Sequence, residues 1–167
     1  MSLRPGAINR RPAAKFVRLT DTVVIDILYA MQAELERIIG EFGADTGSIH
    51  LLEDGILVLK AQVGLPPHIA EIVALVPIGK GMAGLAFERN EPVSSCNIQA
   101  DSSGSVQPGA RDTGVNGAIV VPIRNSRGEA RGALGIGVRR AYEYTPEETE
   151  RLLRLAATLT SQDRTAD

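Results

Sequence analysis

Side chains able to make or break bonds are scarce in this sequence. Its 167 residues include one cysteine, Cys96, and two histidines, His50 and His68. No two of the three stand at a metal-ligand spacing, so there is little from which to build a zinc or haem site, and no metal or cofactor is implied. Cys96 has no second thiol and no evident activating base, and such a thiol is more often a small inert hydrophobe than a nucleophile. His50 lies inside an apolar run and reads as an ordinary strand histidine. What remains points to binding. In Ile78-Gly79-Lys80-Gly81, glycines precede a short helical pattern, which leaves amide hydrogens free beside a lysine. That arrangement suits an anion, or else it is a tight turn with a solvent-facing lysine. No Gly-Lys-Ser/Thr triplet follows, so it is not a P-loop. Arg111, in a long polar stretch with Asp101 and Asp112, suits an anionic ligand or an ion pair with either acid.

The elements that must position these residues centre on two apolar strands, Ala118–Ile123 and Gly132–Val138, joined by a polar turn at Asn125-Ser126-Arg127-Gly128. The period of two predicts an antiparallel pair with unequal faces. Leu134, Ile136 and Val138 share the bulky face with Ile119, Val121 and Ile123. Ala133, Gly135 and Gly137 share the other with Ala118, Val120 and Pro122. Glycines inside a strand usually mark close approach of a ligand or of another backbone, and both readings stand at this point.

Before this pair, apolar residues from Val23 to Phe42 recur at three- and four-residue spacing, predicting a helix from Thr20 or Asp21 that Gly43 stops. Ser48–Glu53 and Ile56–Val63 flank Asp54-Gly55 and predict a type I′ hairpin. A short helix over His68–Leu75 follows, then the glycine-bounded helix ending near Arg89, then a third strand over Val93–Ile98. The stretch Gln99–Asn116 reads as a long unstructured loop, of the length that in compact domains forms lids or binding loops. Thr145-Pro146-Glu147-Glu148 is a capping box opening a last helix with the stripe Leu152, Leu153, Ala156 and Leu159.

Composition bounds the rest. The chain is 44% apolar and carries a formal net charge of −2, which suits one α+β domain and supplies no bulk field for nucleic acid. No window approaches the ~18 apolar residues of a membrane span. With one cysteine and no apolar leader, the cytoplasm is the expected compartment. Residues 1–19 are expected to form a flexible basic arm, 20–160 the domain, and 161–167 a polar tail.

The order of these elements, with Ala61-Gln62-Val63-Gly64-Leu65-Pro66, Ile78-Gly79-Lys80-Gly81-Met82-Ala83-Gly84, Val120-Val121-Pro122-Ile123 and Gly132-Ala133-Leu134-Gly135, resembles the GAF domain family of small-molecule-sensing modules. The like-folded PAS domain is the competing fold. The resemblance implies an antiparallel sheet with the N- and C-terminal helices on one face and a ligand pocket under loops and a short helix on the other. Cyclic-nucleotide-binding members carry an Asn-Lys…Phe…Asp-Glu pattern, whereas here Asn97 is followed by Ile98. Bilin-binding members use a Cys followed by His, whereas Cys96 precedes Asn97. Free methionine-(R)-sulfoxide reductases of this family work through cysteines and pocket acids. Their positions fall here on Ala83, Ala118, Gly135 and Gly137, and no cysteine precedes the Val-Val-Pro strand in its loop. The resemblance therefore implies a non-enzymatic sensory domain in signal transduction, with a dimerisation module lacking a ligand as the second reading. Pocket candidates are Lys80, Met82, Phe87, Cys96, Asp101, Arg111, Ala118, Val120, Ala133 and Gly135. The expected ligand is a small anionic or zwitterionic molecule anchored by Lys80 and Arg111, and the expected assembly is a homodimer through the terminal helices.

Overall fold

Alternation along two strands sets the architecture. The computed structural model describes residues 19–106 and 108–160, so the expected arm up to residue 18 and the tail 161–167 lie outside the described residues. Strands β5 (Gly117–Arg124) and β6 (Ala130–Val138) pair antiparallel, with Val120 opposite Gly135 and Val121 opposite Leu134. Their turn is held by Asn125, whose Oδ1 accepts the N–H groups of Arg127 and Glu129, each at 3.0 Å. Strands β1 (Thr46–Glu53) and β2 (Ile56–Val63) form the expected hairpin. Asp54 and Gly55 have φ of 48° and 81°, the positive pair that a type I′ turn demands. With β3 (Leu75–Pro77) and β4 (Val93–Ser95) at the edges, the sheet runs β3-β2-β1-β6-β5-β4 and every pairing is antiparallel.

Helices α1 (Leu19–Phe42) and α4 (Pro146–Thr160) cover one face. Met31, Leu35 and Ile38 from α1, and Leu152, Ala156 and Leu159 from α4, bury Ile49, Ile119, Val121, Ile123, Leu134 and Ile136. Each such aliphatic side chain contributes ~1.5–3 kcal/mol by leaving water. The capping box at α4 is complete: Thr145 Oγ1 accepts the Glu148 N–H at 3.2 Å, and Glu148 Oε2 accepts the Thr145 N–H at 2.8 Å. The opposite face is covered by α3 (Gly81–Arg89), α2 (Pro67–Ile72) and the chain between β4 and β5.

The structure departs from the sequence expectations at four places. The helix expected over His68–Leu75 ends at Ile72, and Leu75 opens β3. The edge of β2 offers unpaired backbone groups, and Leu75–Pro77 satisfies them opposite Ile56–Val58. The third strand stops at Ser95 rather than Ile98, because Ile98 N–H turns to Asn116 O at 2.7 Å in a 3-10 turn. Residues Gln99–Asn116 are not wholly irregular, since Pro108–Thr113 forms a second 3-10 segment. Finally, α1 is helical from Leu19, so Thr20 and Asp21 lie within its first turn.

Candidate functional site

The bare face of the central strands is a continuous surface across three strands. Ser48, Gly135 and Val120 lie side by side on β1, β6 and β5, and Thr46, Gly137 and Ala118 form the adjacent row. A cavity of ≈ 120 Å³ opens over these rows, floored by Thr46, Ser48, Val120, Gly135 and Gly137. Leu65, Ile98, Ala110, Thr113 and Val115 line its other side, and it opens broadly to solvent. The loop that supplies most of this cover is tied to itself. Gln99 Nε2 donates to Arg111 O and Val115 O at 3.0 and 3.3 Å, and Thr113 Oγ1 donates to Ala110 O at 2.6 Å.

The two glycines serve different needs. A Cβ on Gly137 would lie 2.6 Å from Val115 Cγ1, so this glycine admits a packed loop side chain. A Cβ on Gly135 would lie 3.3 Å from Val120 Cγ2 and 3.4 Å from Ser48 Oγ, near ordinary contact, with the cavity beyond. The close-packing reading thus holds at Gly137 and the hollow reading at Gly135.

Of the expected pocket residues, Val120 and Gly135 line the cavity. Ala118 lies beside it, packed with Ile98 and Val115, and Ala133 is buried with Ala86, Val93 and Val120. Met82 packs against both of these small clusters. Phe87 is half-buried on α3 outside the lining, and Lys80 and Cys96 are exposed, also outside it. Arg111 is exposed, and its Nη2 donates to the Asp101 main-chain oxygen at 2.9 Å, reaching neither the cavity nor a carboxylate. The Asp101 carboxylate accepts the N–H and hydroxyl of Ser103 at 2.8 and 2.6 Å. Those bonds, with help from Ser95 and more weakly the Arg111 charge, hold its pKa below the usual carboxylate value. Neither Lys80 nor Arg111 lines this cavity, so neither places a positive charge in it as the side chains stand. The polar groups that do face it, Thr46, Ser48 and Thr113, escaped the sequence reading. Two carried a signal, since Thr46, Ser48 and His50 alternate on β1 as Gly137, Gly135 and Ala133 do opposite them.

His50 is 3% exposed and ties this face to α2, its Nε2 lying 2.8 Å from Val73 O. The carbonyl only accepts, so the proton sits on Nε2, and Nδ1 is buried without a partner among the described residues. Burial pushes the imidazole pKa down, against the Val73 hydrogen bond.

Among the described residues no group of three or more His, Cys, Asp or Glu could hold a metal ion, and no helix is long and apolar enough to cross a membrane. No curated protein matches the chain in sequence. Solved structures do match in fold. The chain is 22% identical to a type II free methionine-R-sulfoxide reductase from Thermoplasma acidophilum, covering 84% of this chain and 94% of that one at a TM-score of 0.68. It is equally identical, at 22%, to the GAF domain of an Acinetobacter phosphoenolpyruvate-protein phosphotransferase, with 87% and 90% covered and a TM-score of 0.69. The corresponding GAF domain from Coxiella burnetii gives 23% identity, 87% and 95% coverage, and a TM-score of 0.64. The family model of the GAF domain matches residues 26–162, and with its six-stranded antiparallel sheet between two helical coverings the chain belongs to that family.

Proposed function

We propose that this chain is a non-enzymatic, cytoplasmic regulatory domain that binds a small molecule and signals as a homodimer. The observation that carries the binding reading is the cavity over Ser48, Gly135 and Val120. It is bordered by a loop and, among the described residues that line it, holds no acid, base or thiol. Cys96, the lone thiol, is exposed outside it, and Ala83, Ala118, Gly135 and Gly137 stand where a reductase of this family would place its cysteine and acids. A thermal-shift screen of small metabolites tests the reading, because a ligand at ~100 times its Kd adds ~2.7 kcal/mol to stability. A hit should be lost in Gly135→Leu. Turnover of free methionine sulfoxide that Cys96→Ser abolishes would overturn the non-enzymatic assignment.

The dimer reading rests on α1 alone. Its C-terminal half spends Met31, Leu35 and Ile38 on the sheet, and α4 spends its whole stripe there, leaving no spare face. Met31 is 2% exposed and belongs to the core. The N-terminal half of α1 instead exposes Val23, Val24, Ile25 and Tyr29, the last at 71%. A second copy of this helix would cover them. Tyr29→Glu with Ile25→Glu should leave the monomer folded and shift sedimentation from dimer to monomer. A wild-type chain that sediments as a monomer at every concentration would sink the idea.

A further inference from the structure

Resting on the ligand-binding reading above, we propose that the cavity selects a small uncharged molecule, about the size of one aromatic ring, that carries a single polar group bonded by the hydroxyls of Thr46 and Ser48. Size comes first. At ≈ 120 Å³ the space is somewhat smaller than the ~150 Å³ apolar cavity that takes benzene. Charge comes next. The described lining residues are apolar or hydroxylic, and the nearest expected cation, Arg111, is engaged with the Asp101 carbonyl. An ion settling against this lining would give up part of its water and meet no opposite charge, which disfavours it relative to an uncharged molecule of the same shape.

The polar group is placed by elimination. Thr113 Oγ1 already donates to Ala110 O and accepts the Val115 N–H at 3.1 Å, so it is spent on the loop. The Thr46 and Ser48 hydroxyls make no side-chain hydrogen bond among the described residues, and the two residues alternate on β1, which puts both on the cavity face. Each hydroxyl stands beside a glycine of the floor: Ser48 Oγ lies 3.4 Å from the point where a Cβ on Gly135 would be, and Thr46 Oγ1 lies 3.0 Å from the same point on Gly137, where Val115 already packs. A ligand resting over Gly135 therefore has the Ser48 hydroxyl beside it, with that of Thr46 one row further along β1.

The test uses the full chain with three probes of similar shape: phenol, benzoate and benzylammonium, followed through amide NMR shifts near neutral pH, where only phenol is uncharged. Phenol should shift the Ser48, Val120 and Gly135 resonances at millimolar concentration, and the two ions should bind at least tenfold more weakly. Thr46→Val with Ser48→Ala should weaken phenol about three- to tenfold, the loss of one neutral hydrogen bond. Gly135→Leu should abolish the shifts, and should it fail to fold, the hydroxyl-free pair keeps the test. If benzoate or benzylammonium binds over these residues as tightly as phenol, the charge class is wrong while the ligand-binding reading stands. If phenol leaves these resonances unmoved, or binds equally without the two hydroxyls, the proposal falls. The metabolite screen judges the broader reading separately.

Discussion

Along β6, Leu134 and Ile136 are buried under α1 and α4, while their immediate neighbours Gly135 and Gly137 border a cavity. The same strands thus present a close-packed face and an unfilled one. On the first, long helices lay whole stripes of Leu, Ile and Met over the sheet. On the second, the nine-residue α3 buries Ala86 on Ala133, and a self-tied loop covers the remainder. Stability should therefore be concentrated on the helix face, which frees the other face to accept substitution or a guest.

The largest effect should come from breaking the packed face. Leu134→Ala deletes a fully buried side chain under both helices and should cost about 2–5 kcal/mol in urea unfolding. Val120→Ala, on the next residue pair but beside the cavity, removes fewer atoms from a wall that already has space behind it and should cost less than half as much. Equal losses would show that the faces do not differ in packing.

The two glycines sharpen the comparison within the open face. Gly137→Ala forces Val115 to move from a 2.6 Å approach, and valine has little rotamer freedom to give, so a loss of about 1–3 kcal/mol is expected. Combining it with Val115→Ala should recover most of that loss. Gly135→Ala meets its neighbours only at 3.3 and 3.4 Å and should cost under ~1 kcal/mol. Should the two glycines prove equally intolerant in thermal unfolding, the hollow at Gly135 is not real.

This contrast also explains what the sequence disclosed. Period-two alternation in Gly117–Arg124 and Ala130–Val138 was legible because large residues recur at every second position, which sets Val120 opposite Gly135 on the smaller-residue face. The capping box was legible because it is a local bond between Thr145 and Glu148. What sequence could not reveal was long-range. Leu75–Pro77 becomes a strand only because β2 offers it an edge, and Arg111 faces the Asp101 carbonyl only because the loop folds on itself. The expected cations Lys80 and Arg111 stand outside the cavity lining, whereas the Thr46 and Ser48 hydroxyls, unremarkable in type, take their place in it from the register with Gly137 and Gly135.

A smaller effect tests one end of the packed face. Thr145→Ala removes the acceptor for the Glu148 N–H and should cost about 1 kcal/mol, with Thr145→Ser restoring most of it. Because the cap holds α4 on the helix side, phenol shifts at Gly135 should be unchanged in either variant. A cap loss that altered them would couple the faces more tightly than their separate packing clusters suggest.

The smallest effect belongs to His50, the one buried titratable group on the cavity side among the described residues with a displaced pKa. In the unfolded chain its imidazole titrates near 6.5, and in the fold burial moves it lower. Between those two values the unfolded chain holds the extra proton. The histidine's contribution is therefore complete above about pH 6.5 and is lost as the pH falls through the folded value, with a slope of at most about 1.4 kcal/mol per pH unit. The carboxylates with lowered values, Glu34, Asp101 and Glu129, start from ordinary values of 4.5, 3.8 and 4.5, so their losses begin at more acid pH. Urea unfolding across the mildly acid range should show the decline in the wild type and a flat profile in His50→Gln. The glutamine can still donate to Val73 O, which separates the titration from the lost tie between β1 and α2. A decline that persists unchanged in the variant would mean that the open face contributes no proton-linked stability through His50.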